Sequence, residues 1–187
     1  MKRLFSILVI VSIMMMPLLS FAFQNEPDGF RGIKWGTNID KLSRIELINI
    51  GDYGDGRKVY KRRNDKMAIG EAKLNRIFYC FWKNQFSSVG ILCVPEDSVK
   101  LLKNLEHTYG EGDTHFYDDS NWVKKWSGKD LEIFWGVYGN TLDHKFIECF
   151  VSYSYKPIED KMIAYLQIRK EKSHSYESMV YKYRMER

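Results

Sequence analysis

The sequence is short of the residues that assemble cofactor and nucleophile chemistry, with 3 cysteines and 4 histidines among 187 residues. His107, His115, His144 and His174 stand in no H-E-x-x-H or comparable spacing, which removes the common zinc-hydrolase pattern. No serine lies in a G-x-S-x-G elbow, and no cysteine carries a local nucleophile signature. No cofactor is implied. An uninterrupted apolar run of the roughly 20 residues needed to span a bilayer is also lacking, since the stretch Leu4 to Leu19 is shorter and Pro17 interrupts its end.

That stretch instead belongs to an export signal. Lys2 and Arg3 form a positive n-region, the apolar segment follows, and Ser20-Phe21-Ala22 places small residues at the first and third positions of the cleavage site. Residues 1–22 therefore read as a cleaved signal peptide, with the mature chain starting at Phe23 in the periplasm or outside the cell and keeping no stable transmembrane segment. Its removal leaves about 165 residues, one domain's worth. Losing Lys2 and Arg3 lowers the formal charge from +5 to +3, too little for a nucleic-acid partner.

An oxidising compartment gives Cys80, Cys93 and Cys149 one disulfide at most, with one thiol left over. If Cys80 and Cys93 lie on strands that turn at Asn84-Gln85, they sit about four residues apart along the sheet, too far to bridge. Buried small hydrophobes is the preferred reading of all three. A bridge from Cys149 to either strand is the alternative.

Gln24 to Gly29 reads as a flexible polar leader. After Phe30-Arg31-Gly32-Ile33-Lys34-Trp35-Gly36-Thr37, an N-cap at Thr37 or Asn38 predicts a short helix through Leu42 to Ile48. Period-two patterning predicts strands from Arg57, over Leu74 to Trp82, Phe86 to Val94, Leu131 to Val137 and Lys145 to Tyr155. Amphipathic spacing predicts helices from Glu96 to about Tyr109 and from Ile158 to Lys172, with Ser173-His174-Ser175 separating a short terminal helix. The expected fold is α+β: an antiparallel sheet of about six to eight strands with helices centred on Leu42, Leu102 and Met162 on one face. Tyr53-Gly54-Asp55-Gly56 and Tyr109-Gly110-Glu111-Gly112 each precede a polar and then an aromatic segment. Two tandem similar halves would give that order, and so would two unrelated turns.

The segment Phe30 to Thr37, the Tyr79-Cys80-Phe81-Trp82 strand and the helix ending Leu105 to Tyr109-Gly110 resemble small, uncharacterised bacterial exported proteins that open with an FRGI-x-WG-T segment. That resemblance implies location and class, and no activity. The layout is also similar to the tandem α+β fold of the beta-lactamase inhibitor proteins, which use one sheet face for binding; no residue motif carries the inhibitory role across.

The strongest local charge feature is Arg57, Lys58, Lys61, Arg62 and Arg63, with Lys66 beyond. It suits anionic lipid headgroups, acidic glycans or an acidic protein, while its plainer reading is a solvated strand face that discourages edge pairing. Trp82, Trp122 and Trp126 are candidate contact residues, although most aromatics of a domain this size must be core. These features suggest a non-enzymatic binding module for an envelope protein or an anionic envelope component. The alternative is a small metal-dependent envelope enzyme using Asp113, His115, Asp118 and Asp119, whose plainer reading is a solvated acidic loop. Asp52 and Asp55 lack the further ligands of a calcium loop.

Overall fold

The computed structural model describes residues 23, 25–118, 121–139 and 146–185, with side chains omitted at 116–121, 139, 146–147 and 171–185. Residues 1–22, where a signal peptide is expected, lie outside the described residues.

Local sequence sets the first element. Arg31 and Gly32 both take positive φ, +48° and +82°, so Phe30-Arg31-Gly32-Ile33 closes a two-residue hairpin between strands β1 (Gly29–Phe30) and β2 (Ile33–Lys34). Phe30 and Ile33 are buried, and Trp35 stacks between Phe86 and Tyr155 at 4.8 and 6.3 Å. The FRGI-x-WG-T segment is thus a plug for the core. Asn38 caps as expected, its Oδ1 accepting from the Asp40 amide, but only a single 3-10 turn follows, Ile39–Lys41. The chain then enters β3 (Leu47–Asp52), because β-branched Ile48 and Ile50 suit a ladder with the next strand better than a helix. The helix expected around Leu42 is therefore absent.

The remaining strands are β4 (Arg57–Arg62), β5 (Ala68–Ile69), β6 (Ala72–Trp82), β7 (Gln85–Cys93), β8 (Asp113–Asp118), β9 (Asn121–Ser127), β10 (Leu131–Gly139) and β11 (Phe146–Tyr155). Nine strands form one antiparallel sheet in the order β3-β4-β6-β7-β11-β10-β9-β8, with β5 added alongside β6. The fold is α+β. Helix α1 (Ser98–Tyr109) follows the Pro95–Asp97 3-10 turn and buries Leu101 and Leu105 in the core shared with the sheet. Asp97 ties its start to the sheet by accepting from the Lys73 amide at 2.8 Å and pairing with Lys100. Helix α2 (Lys156–Met185) runs on through Ser173 to Ser175 without the expected break, since serine and histidine each cost only a few tenths of a kcal/mol in a helix. It starts with Ile158 buried beside Gly36, passes Trp82 with Tyr165, and reaches the β3–β4 turn, where Arg169 donates to the Gly54 carbonyl.

Cys93 and Cys149 are direct partners across β7 and β11 and form a disulfide, with Cα atoms 5.2 Å apart. The preferred reading of three buried thiols is corrected; the alternative held. Cys80 stays free, and burial pushes its thiol up to about 11. The segment expected to be a flexible leader is pinned. Glu26 accepts from the Lys129, Asp130 and Leu131 amides at 2.9, 2.7 and 2.6 Å, and Asn25 donates to the Thr108 carbonyl. A Cβ on Gly128 would lie 2.6 Å from the Glu26 carboxyl carbon, so a larger residue there would displace the carboxylate from the amides. Turn composition predicts mobility only when no acceptor finds the exposed amides.

Candidate functional site: a basic cleft where the sheet forks

The ladder between β4 and β6 runs only from Arg57↔Trp82 to Tyr60↔Tyr79. Continued in the same register, it would set Lys61 opposite Phe78 and Arg62 opposite Ile77. Instead the strands part. Residues 63–67 swing out and return through β5 to the start of β6, where Ala68 pairs with Lys73. Bulges mark both sides of the fork. On β3 the ladder skips from Asn49 to Gly51, and Asn49 Oδ1 accepts from the Gly51 amide, which turns Ile50 outward to 46% exposure. On β6 the pairing with β7 shifts between Leu74 and Arg76. Bulges of this kind re-aim side chains and end pairing.

The fork encloses an open cleft of about 340 Å³. Ile50, Met67, Ile77 and Phe78 supply its apolar walls, and Lys61, Arg62 and Arg76 its cations. Asp65 is the one carboxylate in the lining, and it is already engaged. Its side chain is 7% exposed, one oxygen pairs with Arg31, and the other accepts from the Tyr79 hydroxyl at 2.7 Å. Burial, then the Asp65 bond, pushes the Tyr79 hydroxyl far above its ordinary range, so it remains a donor at physiological pH. Arg31 also donates to the Ala68 carbonyl, and Arg62 donates to the Arg31 carbonyl at 3.2 Å. The hairpin turn of the FRGI segment therefore reaches the base of the cleft through one side chain. With Asp65 and Arg31 cancelling, Lys61, Arg62 and Arg76 leave the cleft strongly positive.

Of the residues singled out in the sequence, the structure brings together Lys61 and Arg62 here and places the others elsewhere. Arg57 pairs with Asp55 at 2.6 Å and lies over the Tyr53 ring, Lys58 faces Asp52 at 3.7 Å, and Arg63 faces Glu46 at 3.4 Å. Three of the five cations are thus answered by acids of neighbouring strands or of the β3–β4 turn. Trp126 is core, 1% exposed, with its Nε1 donating to the Gly110 carbonyl at 2.8 Å. Trp82 is 6% exposed between Tyr165 and Lys83. Both are corrected as contact residues, because the strand face that carries them is covered. Trp122 is 41% exposed on β9, far across the sheet order from the fork.

Asp113 and His115 are exposed residues of β8, opposite Lys125 and Val123. The Asp118 side chain and Asp119 lie outside the described residues. Among the described residues no three His, Cys, Asp or Glu side chains converge on a metal position.

Sequence reasoning missed Arg31, Asp65, Arg76 and the apolar walls. Asp65 was visible as a lone acid between Arg57 and Lys66; Arg76 had no local signal, because only the fork gives it neighbours.

No protein-family model matches the chain, and no curated protein matches it. Among solved structures, a cysteine-rich secretory protein from Staphylococcus aureus subsp. aureus Mu50 is similar at 14% identity over 66% of this chain, with a TM-score of 0.29. This chain covers 45% of that one, and a likeness so slight carries no argument about fold or function.

Proposed function

We propose that this protein is a non-enzymatic exported binding module, periplasmic or secreted, that holds an anionic envelope component in the cleft between β4 and β6. One observation carries the reading: Lys61, Arg62 and Arg76 line a concave site whose only carboxylate among the described residues is already committed to Arg31 and Tyr79. Positive charge gathered in a low-dielectric concavity raises the local concentration of anions. Export is supported by the signal-like residues 1–22 and by the Cys93–Cys149 disulfide, a bond that persists in oxidising compartments. Among the described residues no helix is long and apolar enough to cross a membrane.

The experiment is retention of envelope extract on the immobilised mature chain, beside a Lys61→Ser/Arg76→Ser variant. A component held by the native chain, released by salt and lost by the variant is the expected result. A retained set identical in both contradicts the assignment of the cleft.

A further inference from the structure

Resting on that reading of the cleft, we infer that its ligand is a small amphipathic anion: one anionic headgroup, phosphate or carboxylate, carrying an apolar tail. The walls decide this. An anion without a tail gains nothing from Ile50, Met67, Ile77 and Phe78, yet Ile50 and Met67 are held 46% and 40% exposed at a site where a merely solvated strand face would carry polar residues. An extended polyanion fits no better. It needs a continuous basic stripe, and Arg57, Lys58 and Arg63, which would extend the stripe beyond the cleft, are paired with Asp55, Asp52 and Glu46. What remains unanswered is local: cations around an apolar hollow.

Each part of the ligand has a counterpart. The headgroup lies against Lys61 and Arg76, neither of which has an acid within ion-pair distance among the described residues, and against the Arg62 guanidinium, whose Nη1 is fixed on the Arg31 carbonyl. Fixing part of a guanidinium beforehand lowers the ordering cost of binding. The tail lies on Phe78 beside the already buried Ile77 and removes Ile50 and Met67 from water, at roughly 25 cal/mol per Å² of apolar surface covered. The cleft volume of about 340 Å³ falls at the small end of the roughly 300–1,000 Å³ typical of ligand sites, which limits the tail to a modest length. Asp65 faces the headgroup but repels it little, because Arg31 neutralises it and Tyr79 occupies its second oxygen.

The probes are decyl phosphate and decanoate below their micelle concentrations, with inorganic phosphate and decyl maltoside as controls, titrated calorimetrically into the mature chain. Decyl phosphate or decanoate should bind, the tighter of the two identifying the headgroup, with inorganic phosphate and decyl maltoside each at least about tenfold weaker. Arg76→Gln should weaken binding about tenfold, and Arg76→Lys should restore part of it. Inorganic phosphate binding as tightly as decyl phosphate overturns the amphipathic ligand but leaves the anion-binding module standing. Decyl maltoside binding equally well overturns the role of charge. No binding by either amphipathic probe, with envelope material still retained through Lys61 and Arg76, overturns this inference alone.

Discussion

Two clusters of donor and cationic groups among the described residues are built in opposite ways. At the turn between β9 and β10 the amides of Lys129, Asp130 and Leu131 converge on one point, and the chain fills that point itself with the Glu26 carboxylate. At the fork between β4 and β6, Lys61, Arg62 and Arg76 line one cleft, and the one carboxylate in its described lining is engaged by Arg31 and Tyr79. Where an anion site serves the fold, the sequence supplies the anion. At the fork, Lys61, Arg62 and Arg76 have no carboxylate within ion-pair distance among the described residues.

Four perturbations separate the two sites by their effect on stability. Asp65→Ala should be the most damaging, because it strands the Arg31 guanidinium and the Tyr79 hydroxyl beside an apolar wall; a loss of about 3–5 kcal/mol in urea unfolding is expected. A loss below about 1 kcal/mol would mean that Asp65 does not organise the base of the fork. Glu26→Ala comes next. Removing an ionised acceptor from three backbone donors should cost about 2 kcal/mol by the same measurement, water recovering part of it at the exposed turn, and Gly128→Ala should act in the same direction by displacing the carboxylate. The smallest effect belongs to the open cations.

The sheet was legible in the sequence because its signals are periodic. Alternation over Lys145 to Tyr155 and the aromatic run over Leu74 to Trp82 fixed β11 and β6 to within two residues, and Pro95 marked the entry to α1. The segment Leu42 to Ile48 was misread because its apolar spacing fits a helix, while strand pairing, which no local window contains, won. The cysteines show the same limit: the bridge from Cys149 stood only as an alternative, since which strand lies beside β7, and in what register, is set by tertiary pairing that no local window contains.

The candidate site was half legible for the same reason. Lys61 and Arg62 were found as members of a charge run, but nothing local distinguishes them from Arg57, Lys58 and Arg63, whose acids lie at Asp55, Asp52 and Glu46. Arg31, Asp65 and Arg76 come from three separate segments; Arg31 meets Asp65, and Asp65 and Arg76 line one cleft, only because the ladder ends at Tyr60. On the proposed reading, the functional content of the sequence lies in the charges that stay without an acid after folding.

That claim is tested most directly by urea unfolding of Lys61→Ser/Arg76→Ser against the native chain. Cations held for a ligand rather than for the fold predict stabilities equal within about 0.5 kcal/mol, or a gain for the variant as repulsion in the cleft is relieved. A loss of about 2 kcal/mol or more would show that both side chains belong to the fold's own interactions, and the cleft would then be no different in kind from the Glu26 turn.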